Sequence, residues 1–120
     1  MDLYWSFVFI QYRCERFPRR LYRLLKDTEG AKGRPDLISF TNGGTAFQIH
    51  QPEEFERVVL PLYFRHGKLS SFLRQCRKYG FKRVLKENGR RKGVYTYNHP
   101  LFRDGKPELC DDIDLVDTHE

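Results

Sequence analysis

The sequence has 120 residues, enough to bury one modest hydrophobic core but not two. Hydrophobic residues make up 39% of it and aromatic residues 15%, which argues against a chain that is disordered throughout. The formal net charge of +6 favours a polyanionic partner, although charge alone does not separate DNA, RNA and a membrane surface.

The positive charge is concentrated in one part of the chain. Residues 65–92 hold 11 of the 22 Lys and Arg residues, and only Glu87 opposes them there. The last 17 residues, from Asp104 onward, are acidic by contrast. A single short basic run is usually a solvated face, but 11 cations over two predicted elements favour a binding surface.

Cysteines and apolar runs exclude several other classes of protein. The sequence has three cysteines, an odd number, and no CxxC spacing: Cys14, Cys76 and Cys110. This pattern argues against a disulfide framework and against a zinc site, and it favours reduced thiols inside a cell. Residues 3–10 are apolar but too short to span a bilayer, and no basic segment precedes them. We therefore expect no membrane association and no metal, and we treat residues 1–16 as an N-terminal extension of unknown role.

The first predicted helix begins at Phe17, where apolar residues recur at helical spacing and Pro18 occupies the first turn. Residues 27–35 contain two glycines and a proline, so a loop follows the helix. The Asn-Gly-Gly triplet at residues 42–44 is a strong positive-φ signal between apolar segments. It predicts a β-hairpin.

Two further helices follow this hairpin. Pro52 and the two glutamates after it favour a helix start, and Pro61 lies inside the apolar stripe of that helix, which predicts a kink or bulge. A turn at residues 65–67 precedes a third helix over residues 68–79, which ends before Gly80 at a C′ position.

A second hairpin is predicted after the third helix. Residues 81–85 and 94–97 favour strands, and Asn88-Gly89 begins a short basic turn between them. Three helices with these two hairpins describe an α+β fold, a winged helix-turn-helix in which a three-helix bundle packs on a small antiparallel sheet. We assign residues 17–110 to this domain and residues 111–120 to an acidic C-terminal tail.

The third helix carries two different faces. One face is an apolar stripe that indicates only a core: Leu69, Phe72, Leu73, Cys76 and Tyr79. The opposite face contains no acid, and we call its residues the reading face: Ser70, Ser71, Arg74, Gln75, Arg77 and Lys78. Arg pairs with guanine and Gln with adenine in the major groove, whereas an ordinary solvated helix usually mixes charges of both signs.

Around this helix the chain resembles the DNA-binding domain of eukaryotic heat shock factors. LPLYFRH at residues 60–66 is similar to the family's LPKYFKH, and SSFLRQCRKYGFKRV at residues 70–84 to its SSFVRQLNMYGFRKV. Phe17-Pro18 and HPLF at residues 99–102 also match, so the resemblance extends from Phe17 to about Ile113.

The resemblance implies a nuclear transcription factor of the stress response that binds double-stranded DNA at inverted nGAAn repeats. Arg74 falls on the family's guanine-reading arginine. Ser71 and nearby basic residues, Lys68 among them, would contact phosphates and groove edges. Lys82 and Arg83, which follow the third helix, would contact the sugar-phosphate backbone of the DNA.

The chain departs from the family pattern at two places. Cys76-Arg77-Lys78 replaces Leu-Asn-Met, which adds two charges on or beside the reading face and leaves the preference for flanking bases open. Nothing after Asp111 shows the heptads of the family's trimerising coiled coil. We therefore expect a monomer or weak dimer, with other copies of the chain on adjacent sites as a further partner.

Three alternatives stand beside this interpretation. In the first, the chain is a truncated, non-activating competitor for the same sites. In the second, it is a winged-helix module that binds nucleic acid or protein without sequence preference, and in the third it is an enzyme. For the last, the histidines at positions 50, 66, 99 and 119 form no recognisable constellation with a nucleophile or metal ligand, so we expect no catalysis and no cofactor.

Overall fold

The computed structural model describes residues 15–30, 32–87, 90–91 and 95–116. Its helices are α1 (Phe17–Glu29), α2 (the consecutive segments Pro52–Glu54, Phe55–Val59 and Leu60–Tyr63) and α3 (Leu69–Lys78). Its strands are β1 (Ile38–Thr41), β2 (Ala46–Ile49), β3 (Lys82–Arg83), β4 (Lys86–Glu87), β5 (Arg90–Arg91) and β6 (Thr96–Asn98). A turn at residues 42–44 and a short 3-10 helix at Pro107–Asp112 complete the fold. The predicted α+β winged helix-turn-helix is confirmed.

The main sheet has the antiparallel order β1-β2-β6-β3, and β4 pairs separately with β5. In β2, Phe47 lies opposite Phe40 of β1 and Tyr97 of β6, and Tyr97 in turn lies opposite Arg83 of β3. The first predicted hairpin is confirmed, because β1 and β2 pair antiparallel, and residues 42–44 between them all have positive φ, at 52°, 64° and 88°. Asn and Gly are the residues that adopt this backbone region at least cost.

Phe47 is at the centre of an aromatic core and has no exposed surface. Its ring centroid lies 5.8–6.5 Å from those of four aromatic residues in other elements: Phe72, Phe81, Tyr97 and Phe102. Phe72 belongs to α3, so these contacts attach that helix directly to the sheet. Aromatic pairs at this spacing stabilise a core beyond the area they bury.

The predicted irregularity in α2 is confirmed as a π-helical turn at Phe55–Val59, which ends two residues before Pro61. The N–H of Leu60 bonds to the carbonyl of Phe55, five residues earlier. Pro61 has no N–H to donate and disturbs the regular ladder, which makes a π-bulge favourable at this point. The turn after α2 brings Gly67, at φ 54°, so close to Pro61 that a Cβ would lie 3.2 Å from the proline ring.

The described part of the C-terminal acidic segment packs against α1. Ile113 has no exposed surface, and Arg16 donates a 2.6 Å hydrogen bond to its carbonyl oxygen. Arg19 pairs with Asp111 at 2.9 Å. Residues 1–14, 31, 88–89, 92–94 and 117–120 lie outside the described ranges, and they include most of the N-terminal extension and the Asn88-Gly89 pair at which the basic turn is predicted to begin. Among the helices that are described, none is long and apolar enough to cross a membrane.

Candidate nucleic-acid interface

The third helix, α3, ends as its sequence predicts. Gly80, at φ 81°, donates its N–H to the carbonyl of Arg77 at 3.0 Å, and Phe81 donates to Cys76 at 3.0 Å. This pair of bonds is a Schellman motif, which satisfies carbonyls at the end of the helix. Arg77 and Lys78 lie in the last turn, where positive charge interacts favourably with the helix dipole. The predicted C′ position of Gly80 is confirmed.

Burial divides α3 into the two faces that the sequence indicates. Phe72 and Cys76 are buried, and Leu69, Leu73 and Tyr79 pack partly buried against the same core. On the reading face Ser71 is half-buried, and the other members are exposed: Ser70, Arg74, Gln75, Arg77 and Lys78. Lys68, Lys82 and Arg83, which flank α3 in the chain, are exposed as well.

The cations of the reading face have no acidic partner in the described part of the chain. No hydrogen bond or ion pair there involves the side chains of Arg74, Arg77 or Lys78. On α1 and at its N-cap the situation is reversed, because four cations have a carboxylate within 3.2 Å: Arg16 with Asp114, Arg19 with Asp111, Arg23 with Glu15 and Lys26 with Asp104. Positive charge is therefore neutralised on α1 and left available on α3.

Arg83 has an aromatic partner that sequence reasoning missed. Its guanidinium carbon lies 5.6 Å from the centroid of the Tyr95 ring, within the range of a cation–π contact. Tyr95 itself has φ 60°, an uncommon conformation for an aromatic residue. The N–H of Ile49 bonds to the Tyr95 carbonyl at 3.1 Å, which joins this residue to β2. The sequence offered only a strand-forming VYTY run, with no signal for this geometry.

The sequence likewise did not predict that Glu56 contacts the start of α3. Its Oε2 accepts a 2.7 Å hydrogen bond from the N–H of Leu69, the first residue of α3. The sequence did contain an indirect signal, because Lys68 precedes α3 and has no side-chain acceptor for a helix N-terminus. An acceptor from elsewhere in the fold was therefore needed.

Cys76, Cys110 and His99 occupy structural positions. Cys76 is fully buried, and burial raises the pKa of its thiol. Burial likewise raises the pKa of Cys110 to about 11, so both thiols remain protonated. His99 packs its ring 5.2 Å from that of Phe81, and its Nδ1 accepts the N–H of Leu101 at 3.0 Å. In the described ranges, no three His, Cys, Asp or Glu side chains are grouped to hold a metal ion.

Known proteins resemble this chain over most of its length. Heat shock factor protein 3 of Gallus gallus is 33% identical over 102 residues, which is 81% of this chain and 21% of that protein. Heat stress transcription factor B-2b of Arabidopsis thaliana is 34% identical over 97 residues, again 81% of this chain and 23% of the relative. The chain thus spans about a fifth of the length of these two relatives.

Solved structures show the same fold. Skn7 of Chaetomium thermophilum, solved with SSRE DNA, superposes with a TM-score of 0.74 and 27% identity over 85% of this chain and all of that one. The same protein solved with HSE DNA gives 0.68 and 29% over 81% of this chain and 96% of the other. The sequence pattern described as HSF-type DNA-binding matches residues 17–115. The chain therefore belongs to the family of HSF-type DNA-binding domains.

Proposed function

We propose that this chain binds double-stranded DNA in a sequence-specific way, with α3 in the major groove, as the DNA-binding part of a nuclear transcription factor. The observation that carries the proposal is the reading face: exposed cations, without acidic partners in the described structure, on a helix whose other side is fixed in the core through Phe72. Such a surface supplies both phosphate attraction and side chains for base edges. The relative from Arabidopsis thaliana is named as a transcription factor, and the similar Skn7 structures contain DNA.

Arg74 is the proposed base reader. It lies in the middle of the exposed side of α3, where a guanidinium bonds to the O6 and N7 atoms of guanine in a bidentate way. Ser70, Ser71 and Gln75 surround it and offer hydroxyl and amide groups to base edges or phosphates. The proposed target is the inverted nGAAn repeat that the family resemblance implies.

The remaining exposed cations are proposed as phosphate contacts, which position the helix without reading sequence. They are Lys68, Arg77, Lys78, Lys82 and Arg83. Arg83 has an aromatic contact, because the ring centroid of Tyr95 lies 5.6 Å from its guanidinium carbon. A guanidinium restrained in this way loses less side-chain entropy when it binds a phosphate.

Fluorescence anisotropy tests the proposal directly. Labelled duplexes with two or three GAA units are compared with scrambled duplexes of equal length and with single-stranded RNA, each over a salt series. We expect tighter binding to the GAA duplexes at every salt concentration, with log K falling linearly against log [salt]. Equal affinity for GAA and scrambled duplexes, or RNA bound at least as tightly as the GAA duplex, would overturn the proposal.

A further inference from the structure

The N-terminus of α3 has no cap of its own. The first N–H groups of any helix lack partners within the helix, and a Ser, Thr, Asp or Asn side chain at the N-cap usually accepts one of them. Here the N-cap residue is Lys68, which forms no capping bond, and the first turn contains no acidic residue. The chain around α3 therefore leaves this end without a local acceptor.

The missing acceptor comes from another helix. Glu56, in the π-helical segment of α2, reaches the N–H of Leu69 with its Oε2 at 2.7 Å, across 13 residues of sequence. The carboxylate thus takes the place of an N-cap side chain and also brings negative charge to the positive end of the helix dipole. Because Leu69 begins α3, this bond fixes where the helix starts relative to α2.

The other parts of α3 are held by independent contacts. Phe72 anchors its middle, with ring centroids 5.5 Å from Phe55 and 6.5 Å from Phe47. The N–H of Val116 bonds to the carbonyl of Lys78 at the far end, at 2.8 Å. Glu56 adds a hydrogen bond at the end that bears Ser70 and Ser71, one turn before Arg74, where Leu69 also packs partly buried against the core.

We infer that Glu56 is a positioning residue that sets the specificity of DNA binding, an inference that rests on the function proposed above. Its carboxylate has two opposite effects. The bond to Leu69 holds the reading face in register with base edges, which favours the correct sequence. The negative charge beside the DNA repels phosphates of any sequence, which disfavours all complexes alike. Glu56 therefore changes the ratio of specific to nonspecific affinity more than it changes affinity itself.

Four variants separate the bond from the charge. Glu56→Gln keeps an oxygen acceptor at the same reach and removes the charge, whereas Glu56→Asp keeps the charge and withdraws the acceptor by one methylene. Glu56→Ala removes both. Glu53→Ala is the matched control, since Glu53 is an exposed acid at the start of the same helix whose side chain forms no hydrogen bond or ion pair in the described structure.

The measurement is the ratio of Kd values for scrambled and GAA duplexes at fixed salt. By analogy with the loss of an N-cap, we expect Glu56→Ala and Glu56→Asp to lower this ratio by about fivefold. Glu56→Gln and Glu53→Ala should keep the wild-type ratio while binding both duplexes more tightly. A ratio for Glu56→Ala and Glu56→Asp equal to that of Glu53→Ala would overturn the inference.

Two further observations make the result unambiguous. The chemical shift of the Leu69 amide proton, measured by NMR, should move upfield in Glu56→Ala and Glu56→Asp but stay near its wild-type value in Glu56→Gln. An unchanged chemical shift in all three variants would contradict the inferred bond. If the wild-type chain itself fails to distinguish GAA from scrambled duplexes, the proposed function fails, whereas wild-type discrimination with no effect of Glu56 rejects only the positioning role.

Discussion

The backbone N–H of Val116 donates a 2.8 Å hydrogen bond to the carbonyl oxygen of Lys78, the last residue of α3. The two residues are 38 positions apart in the sequence, so the bond ties the acidic C-terminal segment to the helix proposed to read DNA. Arg16, at the N-cap of α1, and Arg19, within α1, hold the same segment through bonds to the carbonyl of Ile113 and the carboxylate of Asp111. The segment is therefore part of the framework that supports α3.

Substitution of Ile113 tests that role. Ile113 has no exposed surface, so Ile113→Ala should lower the free energy of unfolding by about 2–5 kcal/mol through lost burial and the cavity left behind. Leu115→Ala is the control, because Leu115 is 63% exposed and should change stability by less than about 0.5 kcal/mol. Urea denaturation followed by circular dichroism measures both. Similar losses in the two variants would mean that the segment does not pack as described.

Gly80→Ala should destabilise the domain by about 1–2 kcal/mol, because Gly80 has φ 81° and an added Cβ would lie 3.1 Å from Cγ1 of Val116. Gly30→Ala provides the comparison. Gly30 has φ −67°, and a Cβ there meets only a carbonyl oxygen at 4.0 Å, so this change should be neutral or slightly stabilising. Thermal melts of the two variants distinguish the cases, and a Gly80→Ala variant as stable as Gly30→Ala would contradict the positive φ.

The local features of this fold are those that the sequence predicts well. Asn42 to Gly44, Pro61 and Gly80 each restrict the backbone strongly, and the structure contains the hairpin turn, the π-bulge and the C-terminal motif that these residues indicate. The apolar stripe of α3 likewise predicts its buried face, because the stripe follows from helical periodicity alone.

Contacts between distant residues were not predictable in the same way. Glu56 caps Leu69, Arg83 stacks on Tyr95 and Val116 bonds to Lys78, yet no periodicity or short motif relates the members of these pairs. Each depends on how whole elements pack, which one sequence does not encode in a local pattern. The acid-free face of α3 was evident from the sequence, but the pairing of Arg16 with Asp114 and of Arg19 with Asp111, each more than 90 positions apart, was not.

Arg74→Ala should weaken binding to the GAA duplex by about 1–3 kcal/mol and relax discrimination at the guanine position, because alanine cannot make the bidentate contact. Lys106→Ala is the matched control, because it also removes one exposed cation but from outside α3. Lys106 follows Gly105, whose N–H bonds to the hydroxyl of Tyr22 in α1. The Lys106→Ala variant should leave the preference for guanine unchanged. Competition anisotropy with single-base variants of the site measures both, and equal loss of discrimination in the two variants would remove Arg74 from the role of base reader.

Lys78→Met restores the residue of the family pattern and removes one exposed cation from the end of α3. If Lys78 contacts a phosphate, affinity should fall by a similar factor for GAA and scrambled duplexes, and the slope of log K against log [salt] should decrease by about 0.9. The salt series of the proposed assay gives the slope. A changed base preference with an unchanged slope would instead assign Lys78 to base reading.

His99 should make stability depend on pH. Burial, assisted by the charge of Arg103, lowers the pKa of His99 in the folded state, so the unfolded chain binds a proton more readily. The stability that neutral His99 contributes is present above its unfolded pKa, near 6.5, and is lost as the pH falls to and through the lower folded value. Protonation at Nδ1 would also end its role as acceptor for the N–H of Leu101.

His99→Asn separates these effects, because the amide oxygen of Asn accepts the same i+2 N–H but does not titrate. The variant loses the ring contact with Phe81, so it should be less stable than wild type at every pH. Between pH 7.5 and 5, however, its free energy of unfolding should fall less steeply than that of wild type. Urea titrations at several pH values measure the two slopes, and since the other histidines are common to both proteins, the difference reports His99. Parallel slopes would show that His99 titrates alike in the folded and unfolded chains.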